Sequence, residues 1–378
     1  MNTAVKIPDP VQVKMPAVKP ERNYGIDLLR ALSIFMVVVL HISTLVIAKA
    51  TQPYTYVDDI AVGFESITYC AVNIFAMISG YVCFGKKFRL SRAANVWVQG
   101  LTYYLGIFGV LAIICGTVDS RELIEHFFPV TEKAYWYLSA YILLLFLMPL
   151  LDRIIDSFDK KEHLMSLVLV TLFAEIGLTY AMAMWPFGEG YTAMWLAAMY
   201  LFGAYFRKYG LLKLKKRSLL LIFFACAAVM FASKYSMRYI TLEPKYFGRY
   251  DRAFFRYTAL PCVIEAIVLF NFFAKIRITG KKIRAFISFF SSASLAVYLI
   301  HSHPHILKYY FPKLSFVMNY RIRYLIPMVI LLAAAIYIVC ALAEYLRKIV
   351  FKYLRIDRFV GFVSDKIQAL FLYFFRKV

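Results

Sequence analysis

Arg30 and His41 stand in one apolar segment, separated only by ALSIFMVVVL, ten residues without a charge. In an α-helix eleven positions turn through about 1100°, within roughly 20° of three full turns, and rise about 16 Å. Both side chains therefore share a face. An imidazole is poised near neutral pH and suits general-base work. Taken alone, a histidine inside a bundle serves equally well as a helix–helix hydrogen bond. Ionisable groups in so apolar a stretch are costly, however, and are rarely idle.

Other candidates fall around this pair. Asp27 lies one turn before Arg30, close enough to pair with it and orient it. The segment NIFAMISGYVCFGKKFRLSR carries Ser79, able to hydrogen-bond across a bundle, and Gly80, which permits close helix approach. No GxSxG elbow surrounds Ser79. Arg89 and Arg92 are three apart and can clamp a phosphate from one helical turn, whereas Lys86 and Lys87 read as ordinary interfacial charge. His301, His303 and His305 sit within YLIHSHPH. By itself His301 reads as an interfacial polar residue at a helix end, and two-residue spacing with no further ligand argues against zinc. Glu175 and Glu265 are mid-segment carboxyls, each a proton relay or an ion-pair partner. Trp136, Trp185, Arg249, Asp251, Arg252 and Arg256 suit either a polar acceptor site or an interfacial belt.

The elements that must position these groups are membrane spans. Of 378 residues 62% are hydrophobic and 17% charged, with mean hydropathy +0.66, against about 45–50% apolar and 25% charged in soluble domains. Apolar segments long enough to cross about 30 Å of hydrocarbon occur near 26–48, 60–84, 93–115, 135–151, 164–184, 191–206, 218–233, 254–274, 286–302 and 324–346. The fold expected is all-α, a polytopic membrane protein of about ten helices. Segments 1–25, 85–92, 152–163, 207–217, 275–285 and 347–378 hold 30 of the 44 Lys and Arg residues, the alternate loops only 12. The positive-inside rule then puts both termini in the cytoplasm. Net charge +22 follows from these loops and forms no nucleic-acid groove. The six cysteines lie in or beside apolar runs without CxxC spacing and read as small buried hydrophobes. Residues 1–25, with four prolines, read as a disordered tail; 26–346 form the membrane domain. Residues 347–378 interleave cations with aromatics, as in a helix lying on the cytoplasmic face.

Together the motifs resemble the acyltransferase family 3 membrane proteins, which O-acylate sugars of surface polysaccharides and some lipids. The matching pieces are IDLLRALSIFMVVVLH, FAMISGY, RLSR, WYLSAYILLLFLMPLL, LFGAYF and VYLIH, in order from Asp27 to His301. With no appended soluble domain, the chain looks most like the enterobacterial common antigen O-acetyltransferase type. The resemblance implies His41 as the catalytic histidine, Arg30 as its motif partner, and Ser79, Gly80, Arg89 and Arg92 as cofactor-binding positions. Asp27, Trp136, Tyr298, His301 and Glu265 are placed as supporting residues. It implies an acyl-CoA donor, most often acetyl-CoA, a glycan or lipid-linked saccharide acceptor, and residence in a bacterial cytoplasmic membrane; no metal and no nucleic acid are expected from the spacing and charge pattern above. Oligomeric state stays open, a homodimer included. FAMI stands where a second aromatic often follows the first, and histidine replaces a common proline near His301. Two other classes use the same intramembrane His and Glu residues: a transporter, which would show inverted repeats, and an export domain for a small molecule or acyl group.

Overall fold

The computed structural model describes residues 22–52, 55–115, 135–180, 187–240 and 254–375. All regular structure among them is helical. Most of the 1–25 tail, and Trp185, Arg249, Asp251 and Arg252, lie outside the described residues.

Helix α1, Tyr24–Ile42, opens at Asn23, whose Oδ1 accepts the Gly25 and Ile26 N–H groups, with Asp27 favourably placed in the first turn. It continues into a π-turn, Ser43–Ile47, directly after His41 and Ile42. There the Ser43 and Thr44 hydroxyls donate to the Val39 and Leu40 carbonyls at 2.9 and 2.8 Å. The second expected span is two helices, α2 (Tyr56–Thr68) and α3 (Ala71–Cys83), broken at Tyr69–Cys70. Then follow α4 (Leu90–Cys115), α5 (Trp136–Ser157), α6 (Lys160–Tyr180), α7 (Ala193–Tyr209), α8 (Lys216–Ile240) and α9 (Leu260–Ala274). The ninth expected span is also broken, at Ala293, into α10 (Lys281–Ser292) and α11 (Ser294–His301). Helix α12, Leu325–Tyr353, runs past the expected end of the membrane domain at 346, and α13 covers Ile356–Phe375.

Seven helical stretches among the described residues are long and apolar enough to cross a membrane, and α9 is a shorter apolar helix. The chain is thus an all-helical, multi-pass membrane protein. Helix α1 is its axis, packed against α2, α3, α9, α10, α11 and α12. The closest crossing is between α3 and α7. A Cβ on Gly80 would stand 2.0 Å from the Tyr200 carbonyl oxygen, and one on Gly203 would stand 1.9 Å from that of Met77. Only glycine at both positions lets the backbones meet.

Five contacts tie the basic segments together at one end of the bundle, the first of them through Ala274 at the border of segment 275–285. Asn23 Nδ2 donates to the Ala274 carbonyl at 2.9 Å, and Lys275 Nζ to that of Leu214 at 2.6 Å. Lys208 Nζ reaches the Phe158 carbonyl, Gly85 N the Asp152 carboxylate, and Leu90 N the Gln368 side chain. The charge count along the chain and the packing therefore agree on a single basic end. At the opposite end the buried Lys234 ammonium pairs with Asp58, joining α8 to α2.

Candidate active site

Arg30, Ile34, Val37 and His41 recur at four, three and four residues along α1, so one face of that helix walls a cavity of about 300 Å³. The other walls come from α3, α5 and α11: Phe75 and Ser79, then Trp136, Tyr137 and Tyr141, then Ser294 and Tyr298. Tyr257, just before α9, closes one side. The cavity thus joins the two groups whose spacing marked them out, and adds four phenols. Tyr137 and Tyr141 stack at 5.8 Å, and Tyr298 meets Tyr137 edge-on at 5.7 Å. Tyr135, buried behind them, donates to the Leu299 carbonyl at 2.7 Å and fixes α11 against α5.

His301 is the main departure from the sequence reading. It is 2% exposed, not interfacial, because the break at Ala293 turns α11 so that its last residue packs behind His41. Its Nε2 lies 3.1 Å from His41 Nδ1, and its Nδ1 lies against the Val297 carbonyl. A carbonyl only accepts, so Nδ1 of His301 carries hydrogen. In the neutral ring Nε2 is then bare and must accept, which makes His41 Nδ1 the donor. Nε2 of His41 is left with its lone pair. Ser302 Oγ also lies 3.3 Å from His301 Nε2.

Arg30 is held by Asp27, whose Oδ1 lies 3.6 Å from Nη1. Its side chain remains 31% accessible, enough to meet a ligand. Ser79 Oγ donates to the Phe75 carbonyl at 3.0 Å and lies 3.4 Å from the Tyr141 hydroxyl, crossing from α3 to α5. Gly80, one residue on, faces α7 and belongs to the helix crossing. Arg89 and Arg92 line a separate narrow cleft at the basic end with Cys83, Lys86 and Asp152. Tyr141, one residue of the cavity wall, also meets Ser79 from α3.

Glu265 is fully buried on α9 away from the cavity, with the buried Cys70 thiol as its polar neighbour. Glu175 Oε2 accepts the Leu260 N–H at the start of α9. His303 Nε2 lies 3.3 Å from the Tyr104 carbonyl, and its ring packs 5.4 Å from that of His305. No group of three or more His, Cys, Asp or Glu is placed to hold a metal among the described residues.

Tyr137, Tyr141, Tyr257, Phe75 and Ser294 were not singled out by sequence. A tyrosine pair four apart in an apolar helix was the available signal, since it puts two phenols on one face. A family model described as an acyltransferase domain matches residues 23–345. No curated protein and no solved structure matches the chain.

Proposed function

The chain belongs to acyltransferase family 3, and from that premise we propose a membrane O-acyltransferase that moves an acetyl group from acetyl-CoA to a hydroxyl of a cell-envelope glycan or its lipid-linked precursor. One observation carries this reading: a cavity that holds a guanidinium and a histidine whose far nitrogen is kept bare by a second histidine.

The basic end faces the cytoplasm of a bacterial cell under the positive-inside rule, where acyl-CoA is made. The coenzyme phosphates meet Arg89 and Arg92 in the narrow cleft, and the pantetheine arm passes Tyr141 into the cavity. The acceptor enters from the opposite end, beside Trp136 and Tyr257. His41 Nε2 takes the acceptor's proton as its oxygen attacks the thioester carbonyl carbon. The new C–O bond forms, the C–S bond breaks, and the imidazolium returns the proton to the departing coenzyme thiolate. Arg30 stabilises charge on the donor. His301 accepts from His41 Nδ1 throughout, holding the reactive tautomer and steadying the imidazolium.

Radiolabelled acetyl transfer in membranes, with acetyl-CoA-dependent thermal stabilisation of the purified protein, tests this. A protein that neither transfers acetyl nor is stabilised by the donor removes the reading. His301→Ala is expected to lower turnover, by less than the roughly 10²–10⁴-fold that loss of the base itself costs. His301→Gln, whose amide oxygen still accepts from His41 Nδ1, should recover much of it. Arg30→Lys keeps the charge but loses the planar fork. It should cut kcat/KM by roughly tenfold, the value of one lost charged hydrogen bond.

A further inference from the structure

The basic end holds a further crevice, separate from the arginine cleft. A cavity of about 410 Å³ is lined by Arg22, Tyr24, Arg277, Thr279 and Arg284. An adjoining one of about 330 Å³ shares Tyr24, Thr279 and Arg284 and adds Lys281 and Ser288. Four cations thus line the two cavities with no carboxylate among the described lining residues, and Arg22 pairs with Asp27. The guanidiniums of Arg22 and Arg284 lie 5.2 and 4.8 Å from the centroid of the same Tyr24 ring, so like charges are drawn together around one aromatic. Arg284 uses only Nε, donating to the Ile278 carbonyl at 2.7 Å. Its terminal nitrogens, and the whole Arg277 guanidinium, make no hydrogen bond or ion pair among the described residues. Ordinary interfacial arginines spread into water; these converge on a crevice whose wall carries the hydroxyl-bearing residues Tyr24, Thr279 and Ser288.

We propose that this crevice binds a phosphate ester, with Arg22, Arg277 and Arg284 as its charged contacts and Tyr24 as the surface on which the attached group lies. Asp27 connects it to the cavity. That carboxylate is shared between Arg22, at 2.5 Å, and Arg30, at 3.6 Å. A phosphate that takes over Arg22 releases Asp27 toward Arg30, so occupancy alters how firmly the cavity's guanidinium is held. The phosphate is a phospholipid headgroup or one of the coenzyme's own. Beside the crevice, α10 turns the apolar side chains of Ile283 and Phe286 outward, as a helix against lipid would. The lipid source stands independently of the proposed reaction, and the coenzyme source rests on it.

The test uses the purified full chain in dodecyl maltoside micelles, which carry no phosphate, and reads its thermal unfolding midpoint. Probes are added phosphatidylglycerol, coenzyme A and coenzyme A lacking its 3′-phosphate. At least one probe should raise the wild-type midpoint, and Arg277→Gln with Arg284→Gln should weaken that probe by roughly tenfold or more. Arg277→Lys with Arg284→Lys keeps the charge and should fall between, which guards against a glutamine pair that folds poorly. A response confined to phosphatidylglycerol assigns the site to lipid; one that needs the 3′-phosphate assigns it to the coenzyme. Equal responses in wild type and variants, or none from any probe, overturn the site. Loss of acetyl transfer in His41→Ala bears on the reaction alone and leaves this outcome untouched.

Discussion

Acetyl transfer by membranes carrying His41→Ala is expected to fall by roughly 10²–10⁴-fold, the range that a positioned general base contributes. The expectation follows from hydrogen-bond bookkeeping. Val297 O fixes the His301 tautomer, His301 fixes that of His41, and the remaining lone pair belongs to a ring that walls the cavity. No other imidazole lines that cavity among the described residues, so none stands in when this one is removed. Ser79 is no substitute, since its hydroxyl is spent on the Phe75 carbonyl. Donor-dependent thermal stabilisation of the same variant should survive, because the contacts proposed for the coenzyme lie elsewhere. Near-normal turnover in His41→Ala would end the general-base assignment.

Gly80→Ala and Gly203→Ala are expected to cost stability rather than affinity. A methyl placed 1.9–2.0 Å from a carbonyl oxygen has no rotamer to escape into, and the atom it meets is backbone on a neighbouring helix. Helices α3 and α7 must separate, with a cost of about 1–3 kcal/mol for typical overpacking and more where nothing relaxes. Gly63→Ala is the control: a Cβ there meets nothing within 4 Å, so its midpoint should hold. The resemblance placed Gly80 among the cofactor positions. A donor affinity unchanged per folded molecule, beside a lowered midpoint in the absence of donor, would assign it to packing. An unchanged midpoint with weakened donor binding would return it to the ligand.

The parts of this site readable in the sequence are those that local geometry fixes. Arg30 and His41 share a face because eleven residues nearly complete three turns, and no tertiary contact is needed to see it. Asp27 beside Arg30 is a matter of one turn, and the basic end follows from counting charges in loops. His301 was misread because its environment comes from elsewhere in the chain: a break at Ala293 and a partner 260 residues earlier. The same holds for the phenols. In a span rich in aromatics, Tyr137 and Tyr141 look like any lipid-facing rings until α5 is docked with that face inward. The two broken spans were hidden for a related reason. Neither 60–84 nor 286–302 carries a proline, so nothing local marks Tyr69–Cys70 or Ala293 as a stop.

The π-turn after His41 has one further effect. A regular helix would carry the repeat of 30, 34, 37 and 41 onward to 44 or 45 and then 48, keeping those side chains above His41. The widened turn at Ser43–Ile47 holds one residue too many and acts as a slip joint: everything beyond it is rotated by about 100°, one residue's worth of helical turn. The stripe therefore stops at His41, and the space over its ring is left to side chains from other helices. Deleting a single residue from 43–47 would close the joint and run α1's own side chains up over the imidazole, a cork made from the chain itself.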